Sequence, residues 1–188
     1  MKFFNIIIAL ILLIVLSPLF IIVSLLILIL DGKPIFYTQE RVGKDKRIFK
    51  IFKFRTMVNN ADELKNQLLS ENEATFPFFK IREDKRITKI GKILRKTSID
   101  ELPQLINVIK GDMSFVGVRP ILKEEMPYLS EERFLVNAGM TGPTQILRGE
   151  KLTLDEINEV ESKYAKNKNI LNDLKIVFKT FLVIFKGV

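Results

Sequence analysis

The chain has neither His nor Cys, which excludes thiolate or imidazole zinc sites, a Cys nucleophile and a Ser-His triad. Any chemistry has to run on carboxylates, hydroxyls, Lys and Arg. The pair best suited to it is Asp100 and Glu101, close behind Arg95 and Lys96. Cationic neighbours and a helix N-terminus favour ionised carboxylates, which act as nucleophiles or as ligands of a hard cation. Consecutive helical residues point about 100° apart, so the two acids make a poor closed metal cage. They suit a divided task, in which one carboxylate attacks and the other holds Mg²⁺ together with substrate phosphates. On spacing alone, capping is the commoner use of acids at a helix start. Asp84, Asp112 and Asp173 read more simply, as a turn, a post-helix turn and a helix cap.

The formal charge is +8, from 30 basic and 22 acidic residues, and it points to an anionic partner: nucleic acid, lipid headgroups or a phosphorylated substrate. Residues 33 to 55 hold eight Lys or Arg against two acids, and residues 80 to 96 repeat that count. About half of these charges suit a lipid-facing surface, at about 1 kcal/mol per basic residue near anionic lipid. Lys53, Arg55, Arg95 and Arg119 are the candidates for a phosphate site, Arg offering a fork of donors where Lys offers a point charge.

These groups need elements to hold them. A length of 188 residues allows one domain with an appendage. Asp31-Gly32-Lys33-Pro34 divides an apolar N-terminus from the remainder. Residues 35 to 57 read as a hairpin around Gly43 to Lys46, with Lys53 and Arg55 on one strand face. Residues 59 to 70 read as helix and 71 to 77 as loop. A helix near 87 to 96 lines up Ile87, Ile90 and Leu94. Another follows with Leu102, Leu105, Ile106 and Ile109, started by a Ser98–Glu101 capping box or by Asp100, and stopped at Gly111. Residues 113 to 118 read as a short strand or extended loop, 139 to 149 as glycine-rich loop, and 153 to 168 as polar helix. Residues 174 to 186 combine Phe178, Phe181 and Phe185 with Lys175, Lys179 and Lys186, as in a core helix or, preferably, one in a membrane interface.

Residues 3 to 30 carry no charged side chain. From Ile6 to Leu30 a helix would reach roughly 38 Å, beyond the ~30 Å hydrocarbon core. That stretch exceeds a signal-peptide h-region, and Leu28-Ile29-Leu30 is no small-residue cleavage site. Pro18 removes the bond to the Ile14 carbonyl and predicts a kink, with the Ser17 hydroxyl as a replacement donor. Each half is long enough for about half of the core, and basic residues flank both ends. A tilted span and a re-entrant hairpin fit equally well.

Several motifs carry a resemblance: Lys53-Phe54-Arg55-Thr56-Met57; then the run from Asp84 through Arg95 to Asp100-Glu101-Leu102-Pro103-Gln104; then Asn107 to Pro120; with Ser17-Pro18 before them and Asp173-Leu174-Lys175-Ile176 after. In this order they resemble the bacterial sugar transferase family, the monotopic phosphoglycosyl transferases, in its minimal catalytic form. The resemblance implies a mostly helical α+β fold with a small β-hairpin and interfacial amphipathic helices. It implies a re-entrant helix broken at Ser17-Pro18 over residues 1–32, a catalytic domain over 33–188, and the cytoplasmic face of the bacterial inner membrane.

The resemblance also implies transfer of a sugar 1-phosphate from a UDP-sugar to polyprenyl (undecaprenyl) phosphate with release of UMP, initiating glycoconjugate assembly. Asp100 would be the nucleophile and Glu101 its partner, with Mg²⁺ bound near Asp100. Lys53, Arg55, Arg86, Arg95 and Arg119 would hold phosphate oxygens, and Asp173 joins the substrate-binding set. Membrane lipids and downstream glycosyltransferases are the further partners.

Two stretches depart from the family pattern. Gly117-Val118-Arg119-Pro120 has Val where Pro is frequent. Gly139-Met140-Thr141-Gly142-Pro143-Thr144-Gln145 and Leu147-Arg148-Gly149-Glu150 differ where nucleotide or sugar selection would lie. The alternative from another class is a membrane-anchored basic protein that binds anionic lipid or nucleic acid. It leaves the acids between the basic clusters unexplained, and the chain has little aromatic interleaving for stacking bases, so no nucleic-acid partner is expected.

Overall fold

The computed structural model describes residues 2–147, 150 and 152–186. Arg148 and Gly149 of the glycine-rich stretch, and the side chains of Phe185 and Lys186, lie outside the described set. The apolar N-terminus forms two helices, α1 (Lys2–Val15) and α2 (Ser17–Leu30), bent by 60° at the break. Pro18 sits in the first turn of α2, where a missing N–H is tolerated. The Ser17 hydroxyl donates to the Ile14 carbonyl at 2.7 Å, replacing the bond that Pro18 cannot make. No single helix among the described residues is long and apolar enough to cross a membrane.

Both arms pack on the remainder of the chain. Ala9 of α1 is fully buried with Ile51, Leu105, Val108 and Met113, and Leu12 and Leu16 pack beside them. Val23 and Ile27 of α2 are buried with Phe54, Ile90 and Leu94. The other faces of these arms are bare: Phe3, Phe4, Ile14, Ile21, Ile22, Leu25 and Ile29 are all exposed.

Strands β1 (Phe36–Val42) and β2 (Ile48–Phe54) form the predicted hairpin, antiparallel in the register Tyr37 to Lys53 and Val42 to Ile48. β2 ends at Phe54, so Arg55 lies beyond the strand instead of sharing a strand face with Lys53. The helix read over 59 to 70 is shorter, α3 (Ala61–Gln67), followed by a 3-10 turn over Leu69–Glu71. α4 (Lys89–Lys96) buries the predicted Ile90 and Leu94, while Ile87 precedes the helix and pairs with Met57. Its cap is Thr88, whose hydroxyl accepts the Gly91 N–H at 3.0 Å.

Two sequence expectations fail here. The predicted capping box at Ser98 and Glu101 does not form: Ser98 sits in the left-handed region (φ 57°) and makes no side-chain cap bond, and Asp100 lies inside the turn. The left-handed backbone at Ser98 differs from the extended geometry of a capping residue. Pro103 has no N–H to give to the Ile99 carbonyl, so an α-helix through this stretch would lack that bond, and residues Ile99–Gln104 are a 3-10 turn. The α-helix, α5 (Leu105–Lys110), begins only afterwards and stops at Gly111 (φ 80°) as expected.

The second failure is the start of the glycine-rich loop. Ala138–Thr141 is a strand, β4, paired in parallel with β3 (Met113–Val116). Glycines make the approach feasible: a side chain at Gly117 would collide with the Asn137 carbonyl and with the backbone of Gly139. α6 (Leu154–Lys166) and α7 (Ile170–Lys186) close the fold. α7 buries Ile176 but exposes Ile170, Leu171, Leu174, Phe178, Phe181 and Leu182. The described residues are mostly helical, with one antiparallel and one parallel strand pair.

Candidate active site

The site is built where the end of β2, the C-terminus of α4 and the 3-10 turn meet. Asn107 of α5 fixes this junction: fully buried, it accepts the Phe52 N–H at 3.1 Å and donates to the Lys50 carbonyl at 2.7 Å. That stitch sets the register between β2 and the turn carrying the acids. Successive residues of a 3-10 turn diverge by about 120°, so Asp100 and Glu101 face different surroundings. Asp100 is buried, whereas Glu101 is half-buried and meets Lys53, with Nζ to Oε1 at 2.8 Å.

Arg95 reaches back from α4 and donates from Nε to the Thr56 hydroxyl at 2.9 Å. Packed surroundings push its guanidinium somewhat below the ordinary arginine range, opposed first by the charge of Asp100 and then by Asp84. It stays a cation at neutral pH. Part of the side chain remains exposed, within reach of a ligand.

The other predicted basic residues have different surroundings. Arg55 is buried and donates to the Asp31 and Gly32 carbonyls (2.8 and 2.6 Å) and to Asn59 Oδ1 (2.5 Å), tying the end of α2 to the hairpin. Arg86 is buried in a two-pronged ion pair with Asp84, with Nε–Oδ1 at 2.9 Å and Nη2–Oδ2 at 2.6 Å. The hydrogen bonds from Arg86 hold the Asp84 carboxyl below the usual carboxylate range. Asp84 holds the expected turn, its carbonyl accepting the Ile87 N–H at 3.1 Å and Oδ1 the Arg86 N–H at 3.0 Å, and is at the same time half of an internal ion pair. Asp173 accepts the Tyr164 hydroxyl at 2.7 Å in the contact between α7 and α6. Burial, then that bond, pushes the Tyr164 phenol up.

Arg119 is exposed, with its guanidinium 5.5 Å from the Phe78 ring centroid. Beside it the structure brings Arg41, which the sequence reading left inside the first basic cluster. Arg41 Nη1 donates to the Pro120 carbonyl at 3.2 Å and Nη2 to Gln39 Oε1 at 2.7 Å. Burial lowers the pKa of Arg41, the Arg119 charge adding to the effect, while Glu125, Tyr37 and Glu101 oppose it. Two guanidinium groups close enough to repel each other, near Glu101, make an anion-attracting corner. The available signal was strand periodicity, which sets Arg41 on the same hairpin face as Gln39 and Lys53's partner Tyr37.

Among the described residues no three acidic side chains converge on a common point that could hold a metal ion. Mg²⁺ in its usual phosphate-dependent form needs only one or two carboxylates beside oxygens of the substrate. Asp100 would be the residue to hold it.

Fold and site together define a helix-rich domain with a bare apolar flank, in which an acidic pair is set among Lys and Arg side chains. The chain belongs to the bacterial sugar transferase family, whose model it matches over residues 1–187. It is 44% identical over 161 residues to the galactosyl transferase CpsE of Streptococcus agalactiae, an alignment covering 84% of this chain and 36% of that protein. It is 40% identical over 184 residues to the exopolysaccharide production protein ExoY of Sinorhizobium fredii, covering 94% and 81%. It is 38% identical over 190 residues to the undecaprenyl-phosphate galactose phosphotransferase of Salmonella typhimurium, covering 97% and 40%. The chain thus spans well under half of the Streptococcus and Salmonella proteins and most of the Sinorhizobium one.

Proposed function

We propose that this protein is a phosphoglycosyl transferase, moving a sugar 1-phosphate from a UDP-sugar to polyprenyl phosphate with release of UMP. The observation that carries this reading is the buried Asp100 beside Glu101, with Lys53 on Glu101 and the cation of Arg95 close to Asp100. A carboxylate needs no base to activate it, which suits a chain without His. An oxygen of Asp100 attacks the sugar-bearing β-phosphorus, the bond from that phosphorus to the bridging oxygen breaks, and UMP leaves with the electron pair. A phosphate oxygen of polyprenyl phosphate then attacks the acyl phosphate phosphorus, and the Asp100 carboxylate is released as the polyprenyl diphosphate-linked sugar forms. No net proton transfer is needed in either step.

Lys53 keeps Glu101 charge-balanced and oriented, Arg95 offsets charge at Asp100, and Arg41 and Arg119 hold the phosphates of the donor. Mg²⁺ held by Asp100 together with donor oxygens would supply charge neutralisation at the diphosphate.

We read residues 1–32 as a re-entrant membrane hairpin and 33–188 as the catalytic domain, at the cytoplasmic face of the inner membrane. Each 14-residue arm is about 21 Å long. A 60° bend inclines each arm at about 30° to the plane joining their ends, so the break would sit about 10 Å deep, inside one leaflet of the ~30 Å core. The packing of both arms on the same folded domain favours this over a span. The bare face of α7 adds a second apolar surface for the interface. Such a site meets a soluble nucleotide sugar and a lipid-held acceptor at once.

The test is UMP release from UDP-sugars in nanodiscs with Mg²⁺ and undecaprenyl phosphate. Asp100→Asn is expected to abolish it, and protein quenched with donor alone should carry a phospho-sugar mass on Asp100. Full turnover in that variant would refute the nucleophile.

A further inference from the structure

Behind Arg119 lies a buried ion pair that the reaction does not use directly. Arg133 Nε donates to Glu161 Oε2 at 2.8 Å, and both residues are almost wholly shielded from solvent, at 2% and 1% exposure. Their remaining hydrogen-bonding groups converge on one residue. Glu161 Oε1 accepts the Arg119 N–H at 3.2 Å, and Arg133 Nη2 donates to the Arg119 carbonyl at 2.7 Å. The same Glu161 oxygen accepts the Thr144 hydroxyl at 3.1 Å, bringing in the loop after β4. Next along the chain, the Pro120 carbonyl is taken by Arg41.

Burying two charges costs desolvation that their attraction does not reliably return, and apolar side chains of similar volume often support a fold equally well. A fold requirement alone therefore does not account for this pair. Its geometry supplies another use. The peptide groups on either side of the Arg119 α-carbon are held by a rigid fork on one side and a carboxylate on the other, while the Arg119 side chain stays exposed. Anchoring both groups fixes where the Arg119 side chain leaves the backbone, from which its guanidinium reaches to 5.5 Å from the Phe78 ring centroid, and pre-organised placement favours phosphate recognition.

We propose that Arg133 and Glu161 form a clamp that positions Arg119 against the phosphates of the donor, with Thr144 coupling the clamp to the loop after β4. These are positioning residues acting through Arg119, and the inference rests on the donor-binding role given to Arg119 above. The clamp also stiffens the loop in which Val118 stands where the family often has Pro.

The experiment is a double-mutant cycle on the full chain in nanodiscs, assayed for UMP release from UDP-galactose, UDP-glucose and UDP-N-acetylgalactosamine with undecaprenyl phosphate. One arm replaces the clamp by apolar residues, Arg133→Met with Glu161→Leu; the other is Arg119→Ala. The clamp replacement leaves the Arg119 N–H and carbonyl without these partners, so it should lower the melting temperature somewhat, and it should raise the donor KM by roughly ten- to a hundredfold at temperatures where it stays folded. Added to Arg119→Ala, it should change the donor KM no further. An unchanged donor KM in the clamp replacement, or penalties that multiply in the combined variant, would overturn the clamp. Should the clamp replacement fail to fold, Arg133→Lys takes its place: it keeps the charge but loses the planar fork, and should raise the donor KM only when Arg119 is present. A harmless Arg119→Ala would instead defeat the donor-binding role of Arg119. Absence of UMP release by the unaltered protein would defeat the proposed activity and the clamp with it.

Discussion

Lys53 Nζ lies 2.8 Å from Glu101 Oε1, so the end of the second hairpin strand is tied by charge to the acidic pair. Both side chains keep about a quarter of their surface exposed, at 27% each, so the pair is screened and adds no more than about 1 kcal/mol to stability. Its weight falls on the site. Lys53→Met should therefore leave the melting temperature nearly unchanged and lower kcat/KM for the donor by about ten- to a hundredfold, below the loss typical of a central charge-stabilising donor. Steady-state UMP release beside a thermal melt checks both halves. Loss of folding with proportionate loss of activity would mark Lys53 as merely structural.

The break in the apolar N-terminus turns on two adjacent residues. Pro18 leaves the Ile14 carbonyl without its helical donor, and Ser17 answers with its hydroxyl at 2.7 Å. Restoring an N–H by Pro18→Leu, together with Ser17→Ala, should straighten the pair toward one continuous helix of spanning length. In this cysteine-free chain a single cysteine placed ahead of Met1 reports the side of the membrane. It should be shielded from an impermeant thiol reagent in intact cells for the native chain, and become labelled in a share of the double variant. Labelling of the native chain from outside would favour a span.

Asp84 and Arg86 make a pH-dependent contribution whose sign is defined. Arg86 holds the folded pKa of Asp84 below its unfolded value. The stabilisation is complete above the unfolded carboxylate range and is lost as pH falls through the folded value. Arg86→Met leaves a buried carboxylate without its partner and should cost about 3–5 kcal/mol at neutral pH. Urea unfolding at successively lower pH should find that the gap between native and variant narrows once Asp84 protonates. A gap independent of pH would mean that Arg86 acts by packing on Phe79 and by its bond to the Ala61 carbonyl, and not through the carboxylate.

How far the sequence revealed this arrangement depended on the range of the interaction. Local signals were read well: the turn at Gly43, the Pro18 break with its Ser17 donor, the stripe of Ile90 and Leu94, and the stop at Gly111. The acid pair and its basic setting were also visible. Partner choice was not. Arg55 and Arg86 carry the same charge as Arg95, yet one caps the end of α2 and the other pairs with Asp84, because each is fixed by neighbours that linear spacing does not report. Arg133 and Glu161 stand 28 residues apart, and nothing in either local pattern marks them as a pair. At Ser98 a sound local rule failed, because the residue takes a left-handed conformation ahead of a 3-10 turn that contains Pro103.

Gly91 offers a test in which two local effects oppose each other. In a helix interior Ala is preferred to Gly by about 1 kcal/mol, so propensity alone predicts that Gly91→Ala stabilises α4. The structure predicts the reverse. A Cβ at Gly91 would run into the backbone carbonyl of Thr56, a main-chain atom with no rotamer to change. Thr56 is held there by the Thr88 N–H on its carbonyl at 3.0 Å and by Arg95 on its hydroxyl at 2.9 Å, so relief requires moving α4 away from the segment after β2. Overpacking of this kind costs about 1–3 kcal/mol, enough to outweigh the propensity gain. The same shift pulls Arg95 off the Thr56 hydroxyl that orients it, so kcat should fall more than stability does. Lys92→Ala, one residue along on the exposed side of α4, should show neither effect. Urea unfolding and UMP release on the two variants decide the matter: a Gly91→Ala protein as stable and as active as the native one would mean that α4 is free to shift and that its contact with Thr56 does not set the site.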